Sequence, residues 1–74
     1  MPAIKEFDGF RIYMYFADHG QPHFHIVGSD FDAKIAIDDL SVMAGEVPRK
    51  AREALDWAEQ NKVYLMDLRN EYSG

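Results

Sequence analysis

The chain has 74 residues, a net charge of −5 and no cysteine. This length allows one small domain with a modest core, assigned to residues 1–74, and the apolar share of 47% excludes a disordered chain. The lack of cysteine excludes a small secreted scaffold held by disulfides. It favours the reducing cytoplasm as the location.

Charge and hydropathy also exclude two classes of partner. Residues 1–44 carry three Lys/Arg against seven Asp/Glu, and residues 45–74 carry five against six. Because neither half has a basic excess, we expect no stable DNA binding. No apolar stretch approaches the ~20 residues of a membrane span. The start, Met1–Glu6, lacks the basic and apolar regions of a signal peptide, so neither membrane insertion nor secretion is expected.

The first half of the chain predicts β-strands. Ile4–Phe7 and Phe10–Phe16 flank Asp8-Gly9, which predicts a hairpin with a type I′ turn. Further strands are predicted at His23–Val27 and Phe31–Ile37, with a short edge strand at Ser41–Met43. The short loops favour an antiparallel meander.

The second half predicts a helix, because Pro48 suits a first helical turn and apolar residues follow at helical spacing. These residues are Ala51, Leu55, Ala58, Leu65, Leu68 and Tyr72. Asn61–Val63 interrupts the spacing and predicts a break, and Trp57 is expected at the edge of the core. The predicted fold class is α+β, an antiparallel β-meander of three to five strands followed by a C-terminal α-helix packed on one sheet face.

Side chains alternate along a strand, so the sequence also predicts the two faces of the sheet. The core face should carry Phe10, Ile12, Met14, Phe16, Phe24, Ile26, Phe31, Ala33, Ile35 and Ile37. The opposite face should carry Arg11, Tyr13, Tyr15, His23, His25, Asp32, Lys34 and Asp38.

All three histidines of the chain lie within Asp18–His25. Histidine titrates near neutral pH and is a common metal ligand, so this segment is the main candidate for chemistry. His23 and His25 point the same way in a strand, about 6–7 Å apart. With Asp18 and His19 they would supply the ligands of a divalent metal such as zinc.

Two other interpretations need no metal. In the first, His23 and His25 are a general acid and base, and Arg11 and Lys34 stabilise negative charge, as in cleavage of a phosphodiester. In the second, His19 ties the loop structurally, and Tyr13 and Tyr15 bind a protein partner or a second copy of the chain. The residues alone leave these alternatives open.

The pattern of motifs resembles the domain of unknown function family 4160, small bacterial proteins marked by a Pro-His-Phe-His run. The matching elements are Ile4, Phe7, Gly9, Arg11–Tyr15, Asp18-His19, Pro22–His25, Gly45–Pro48 and Trp57–Glu59. The resemblance implies a genetic context and no defined activity. Members are commonly encoded beside a small protein of the domain of unknown function family 2442, in what look like toxin–antitoxin pairs. It therefore implies a component of a two-protein module with a small cognate partner, either a hydrolytic toxin or a non-catalytic interaction domain.

Overall fold

The computed structural model describes residues 3–14 and 21–73 of the chain. The strands are β1 (Lys5–Phe7), β2 (Phe10–Tyr13), β3 (His23–Gly28), β4 (Asp32–Ala36) and β5 (Val42–Gly45). They form one antiparallel sheet in the order β1-β2-β3-β4-β5. A 3₁₀ turn at Arg49–Ala51 leads into α1 (Arg52–Gln60), and α2 (Lys62–Ser73) follows. The predicted α+β meander with C-terminal helical structure is confirmed.

Within these described ranges, no helix combines the length and the apolar character needed to cross a membrane.

The β1–β2 hairpin forms where predicted, but its predicted turn type is wrong. Phe7 pairs with Phe10, so Asp8 and Gly9 are the two central residues. Gly9 has φ +90°. Among the residues described, Leu40 is the only non-glycine residue with positive φ, so the φ of Asp8 is not positive. A type I′ turn needs positive φ at both central positions, and Asp8 does not adopt it. Positive φ at the second position alone is the requirement of a type II turn.

The edge strand β5 begins one residue later than predicted and extends to Gly45. Its pairing with β4 is irregular between Lys34 and Ile35, because one strand holds an extra residue at a bulge. Gly45 has φ +75°, and a Cβ there would collide with the carbonyl oxygen of Asp32 on β4. A glycine is therefore required where the two backbones meet.

The helical region breaks at Asn61, as the interrupted spacing predicts. Asn61 Nδ2 donates to the Trp57 carbonyl oxygen at 2.7 Å, which satisfies an acceptor at the end of α1. The Asn61 carbonyl oxygen accepts from Leu65 N–H at 2.9 Å, so the same residue also supports the first turn of α2, which follows it directly.

The core lies between the helices and one face of the sheet. From the strands and the residues that directly follow them it includes Phe10, Ile12, Met14, Phe24, Ile26, Ala33, Ile35 and Ile37, and from the helical region it includes Ala51, Ala54, Ala58 and Leu65. The predicted core face is thus confirmed for these strand residues, while Phe16 is outside the described ranges. Ala54 is buried although the helical spacing did not select it. Phe31 and Leu55 are only partly buried, and Trp57 packs at the core edge, 6.5 Å from the Phe7 ring.

Candidate functional site on the outer face of the sheet

The sheet face opposite the core is here called the outer face. Strand register gives it a central cross-strand row, in which His25 on β3 lies opposite Tyr13 on β2 and Lys34 on β4. Side chains directly opposite each other in antiparallel strands have Cβ atoms about 4.5–5.5 Å apart. Two of the predicted catalytic residues, His25 and Lys34, therefore lie side by side.

His23 lies two residues before His25 on the same strand and is 5% exposed. Its Nδ1 is 2.8 Å from the carbonyl oxygen of Gln21. Because a carbonyl oxygen can only accept, Nδ1 is assigned the proton and donates it. This bond fixes both the tautomer and the orientation of the His23 ring.

The His25 ring packs edge-on against the ring of His23, with 5.3 Å between centroids. Its side chain is 19% exposed, so it keeps access to solvent that His23 lacks. His25 Nδ1 is 3.9 Å from Asp32 Oδ1. That separation is too long for a hydrogen bond, but the carboxylate would stabilise a protonated imidazole.

Arg11 is on the same face, where it contacts Tyr13 and Glu6 and neither His23 nor His25. Its Nη1 donates to the Tyr13 hydroxyl at 3.3 Å, and its Nε is 3.6 Å from Glu6 Oε1. The hydrogen bond and the charge interaction with Tyr13, and after them the negative charge of Glu6, raise the pKa of Arg11 above its usual value. Arg11 stays cationic, with part of its charge balanced by Glu6.

Lys34 is half-buried beside His25 and forms no ion pair with any other residue in the described ranges. The formal charges on the outer face nearly cancel, because the cations Arg11 and Lys34 share it with the carboxylates of Glu6 and Asp32. The positive charge available to an anion is therefore local, at Lys34, and not a broad basic surface.

A depression of about 270 Å³ adjoins the row at the end that Tyr13 occupies. Arg11, Tyr13, Val27 and Gly28 contribute to its lining. It is large enough for part of a small planar group, and Tyr13 offers an aromatic ring at its side.

The structure describes two of the four predicted metal ligands. His23 and His25 lie close together, whereas Asp18 and His19 fall outside the described residues, as does the predicted contact residue Tyr15. Residues 3–14 and 21–73 contain no group of three or more histidine, aspartate or glutamate side chains arranged to hold a metal ion. A four-ligand site that includes Asp18 and His19 stays a prediction.

Two contributors to the site were not selected from the sequence. Gln21 acts through its backbone carbonyl, which carries no residue-specific pattern. Asp32 was placed on the outer face by parity but was not assigned to the site. Its position diagonal to His25 follows only from the β3–β4 register, in which Val27 pairs with Asp32 and His25 with Lys34.

Comparison with known proteins identifies the family. A family model described as "Domain of unknown function (DUF4160)" matches residues 9–68, which include every strand of the sheet except β1. No curated protein and no solved structure matches the chain. The match covers far more than half of the sequence, and the chain belongs to the DUF4160 family.

Proposed function

We propose that this protein is one component of a toxin–antitoxin-like pair and that it cleaves phosphodiester bonds in RNA through its outer face. The observation that carries this proposal is the row of Tyr13, His25 and Lys34, with the ring of His23 5.3 Å from that of His25. An imidazole, a cation and an aromatic ring are the groups needed to move a proton, stabilise phosphate charge and stack a base.

His25 is the catalytic residue in this mechanism. Its imidazole takes the proton from a ribose 2′-hydroxyl, and the 2′-oxygen attacks the adjacent phosphorus. The bond from phosphorus to the 5′-oxygen breaks, and the leaving oxygen takes a proton from water. The hydroxide that remains takes the proton from the imidazolium and so restores the base. The carboxylate of Asp32, 3.9 Å from His25 Nδ1, stabilises the imidazolium that forms.

His23 acts as a positioning residue. Its burial and its hydrogen bond to the Gln21 carbonyl favour this role over the acid–base role that the sequence suggests for it. A fixed His23 ring restricts the rotation of His25, because the two rings are in edge-to-face contact. Lys34 stabilises the developing negative charge on the phosphate.

The first test is to express the chain without its genomic neighbour and to follow growth and cellular RNA. We expect growth arrest with RNA cleavage. His25→Ala should lower cleavage by the purified protein about 10²–10⁴-fold, the usual contribution of a general base. Lys34→Gln should lower it by a smaller factor.

Arg52→Gln is the matched control, because Arg52 is an exposed cation at the start of α1, on the helical side of the sheet. It should cleave like the wild-type protein. All variants must have wild-type circular dichroism before their rates are compared. Growth arrest that persists in a folded His25→Ala variant would exclude the catalytic proposal.

The second candidate function is non-catalytic binding of the partner protein by the same face. The pairing of Arg11 with the Tyr13 hydroxyl favours it, because Tyr and Arg are enriched in interface centres. Tyr13→Ala should then weaken the complex with the neighbouring small protein in a calorimetric titration, whereas His25→Ala should have little effect. An unchanged affinity in Tyr13→Ala would argue against this interface.

A further inference from the structure

A second surface lies on the helical side of the sheet, between strand β1 and helix α1. It is an open groove of about 510 Å³, here called the β1–α1 groove. Lys5, Phe7 and Asp8 contribute from the β1 hairpin, and Glu53, Asp56 and Trp57 contribute from α1. Because β1 is an edge strand, no further strand among the described residues closes the groove on that side.

The apolar part of the β1–α1 groove consists of aromatic rings. The Phe7 and Trp57 rings meet edge to face with 6.5 Å between centroids, and the Tyr64 and Trp57 rings meet in the same way at 6.4 Å. Both Phe7 and Trp57 are half-buried, so each also presents part of its ring to solvent. Exposed aromatic faces attract cations as well as apolar groups.

The charged part of the groove is negative. The side-chain carboxylates of Asp8, Glu53 and Asp56 form no hydrogen bond or ion pair with any other described residue. Lys5 is the single cation among the groove residues, and its Nζ lies 5.8 Å from the centroid of the Phe7 ring. The chain's own lysine thus occupies a cation–π position at the groove.

We propose that the β1–α1 groove binds an arginine- or lysine-containing segment of a partner protein. The cationic head would replace Lys5 over the aromatic rings, while Asp8, Glu53 and Asp56 neutralise neighbouring basic groups. Charge complementarity determines this choice of occupant, because three carboxylates without an ion-pair partner attract a basic segment and repel an acidic one, and the net charge of −5 disfavours a second copy of this chain. Neither His25 nor Lys34 lines the groove, so the inference does not depend on the proposed cleavage.

The test uses a synthetic peptide, acetyl-Gly-Arg-Ala-Arg-Gly-amide, added to the full chain. Trp57 is the only tryptophan, so its fluorescence and its indole N–H signal report on the groove directly. We expect both to change in a saturable manner. Raising the salt should weaken binding, because exposed charges are screened within about 10 Å at 0.1 M ionic strength. The same peptide with glutamine in place of arginine should not bind.

Two variants test the carboxylates and the resident lysine. The double substitution Glu53→Gln with Asp56→Asn removes two charges and keeps the aromatic rings, and it should weaken binding about 5-fold or more. Lys5→Ala should strengthen binding about 2-fold or more, because it removes both a competing cation and a positive charge. Glu59→Gln is the matched control, since Glu59 is exposed on α1 but does not line the groove.

Three results of the peptide titrations would overturn the proposal: no response of Trp57 at millimolar peptide, equal binding of the glutamine peptide, or unchanged affinity in the double variant. A Trp57 signal that changes with protein concentration alone would also overturn it, because a second copy would then occupy the groove.

Discussion

Gly45 provides the sharpest test of the sheet geometry beside the candidate site. It pairs with Ala33, next to the pair formed by Lys34 and Ala44. In Gly45→Ala, the new Cβ would overlap the Asp32 carbonyl oxygen and would lie 3.1 Å from the Asp32 carbonyl carbon. These are backbone atoms of β4 and cannot move away by a side-chain rotation. Strand β5 must therefore separate from β4.

The expected cost has two parts. A non-glycine residue at positive φ costs about 1–2 kcal/mol. Displacement of β5 also disrupts roughly two ladder hydrogen bonds, each contributing about 1 kcal/mol. We therefore expect Gly45→Ala to lower the free energy of unfolding by about 3–4 kcal/mol.

Gly9→Ala is the matched control for this experiment. Gly9 also has positive φ, at +90°, but a Cβ there has no atom within 4 Å. It should show the backbone strain alone, about 1–2 kcal/mol. Alanine also restricts the unfolded chain more than glycine does. This stabilises both variants equally, so it cancels when their free energies of unfolding are compared. Urea unfolding followed by Trp57 fluorescence measures both variants, and equal losses within about 0.5 kcal/mol would refute the steric reasoning.

Three further predictions concern the site and its surroundings. His23→Ala should lower the free energy of unfolding by about 2–4 kcal/mol, because it empties a buried position and removes the bond to Gln21; a loss under about 0.5 kcal/mol in urea unfolding would contradict its buried role. Hydrogen bonding from Ser41, first its side chain and then its backbone N–H, lowers the pKa of Asp39. Its stabilising contribution is therefore complete above the ordinary carboxyl pKa and is lost as the pH falls through the lowered pKa. The stability difference between wild type and Asp39→Asn should shrink as the pH falls from about 5 to about 2, and a constant difference would contradict it. If Asp18 and His19 complete a metal site, one equivalent of zinc should shift the imidazole NMR signals of His23 and His25 together, whereas signals unaffected at micromolar zinc would exclude the site.

The sequence predicted the fold well because its strongest patterns are local. Alternation along the strands separates Ile12 and Ile26, in the core, from Arg11 and His25 on the outer face. The break at Asn61 was also visible, because it interrupts the helical spacing. These features depend on the periodic spacing of apolar residues. That spacing identifies an element even when its predicted ends are wrong by one or two residues.

The features that the sequence did not predict depend on contacts between distant elements. The β1–β2 turn type depends on how two strands twist together, and Asp-Gly suits more than one type. The extension of β5 depends on the close approach of Gly45 to Asp32. The unequal burial of His23 and His25 could not be inferred from parity, because parity assigns both side chains to the same face and does not say what covers each one.

The positions of the two proposed surfaces restrict how a partner could neutralise this protein. A partner held only in the β1–α1 groove would leave His25 and Lys34 accessible, because neither residue lines the groove. Neutralisation of cleavage would then require a second contact that covers His25 and Lys34. The imidazole NMR signal of His25 in the complex distinguishes these cases. A partner that blocks cleavage must change this signal. A partner bound only at the groove must change the indole signal of Trp57 and leave the His25 signal unchanged. Cleavage that is blocked while the His25 signal is unaffected would contradict the assignment of His25 as the catalytic residue.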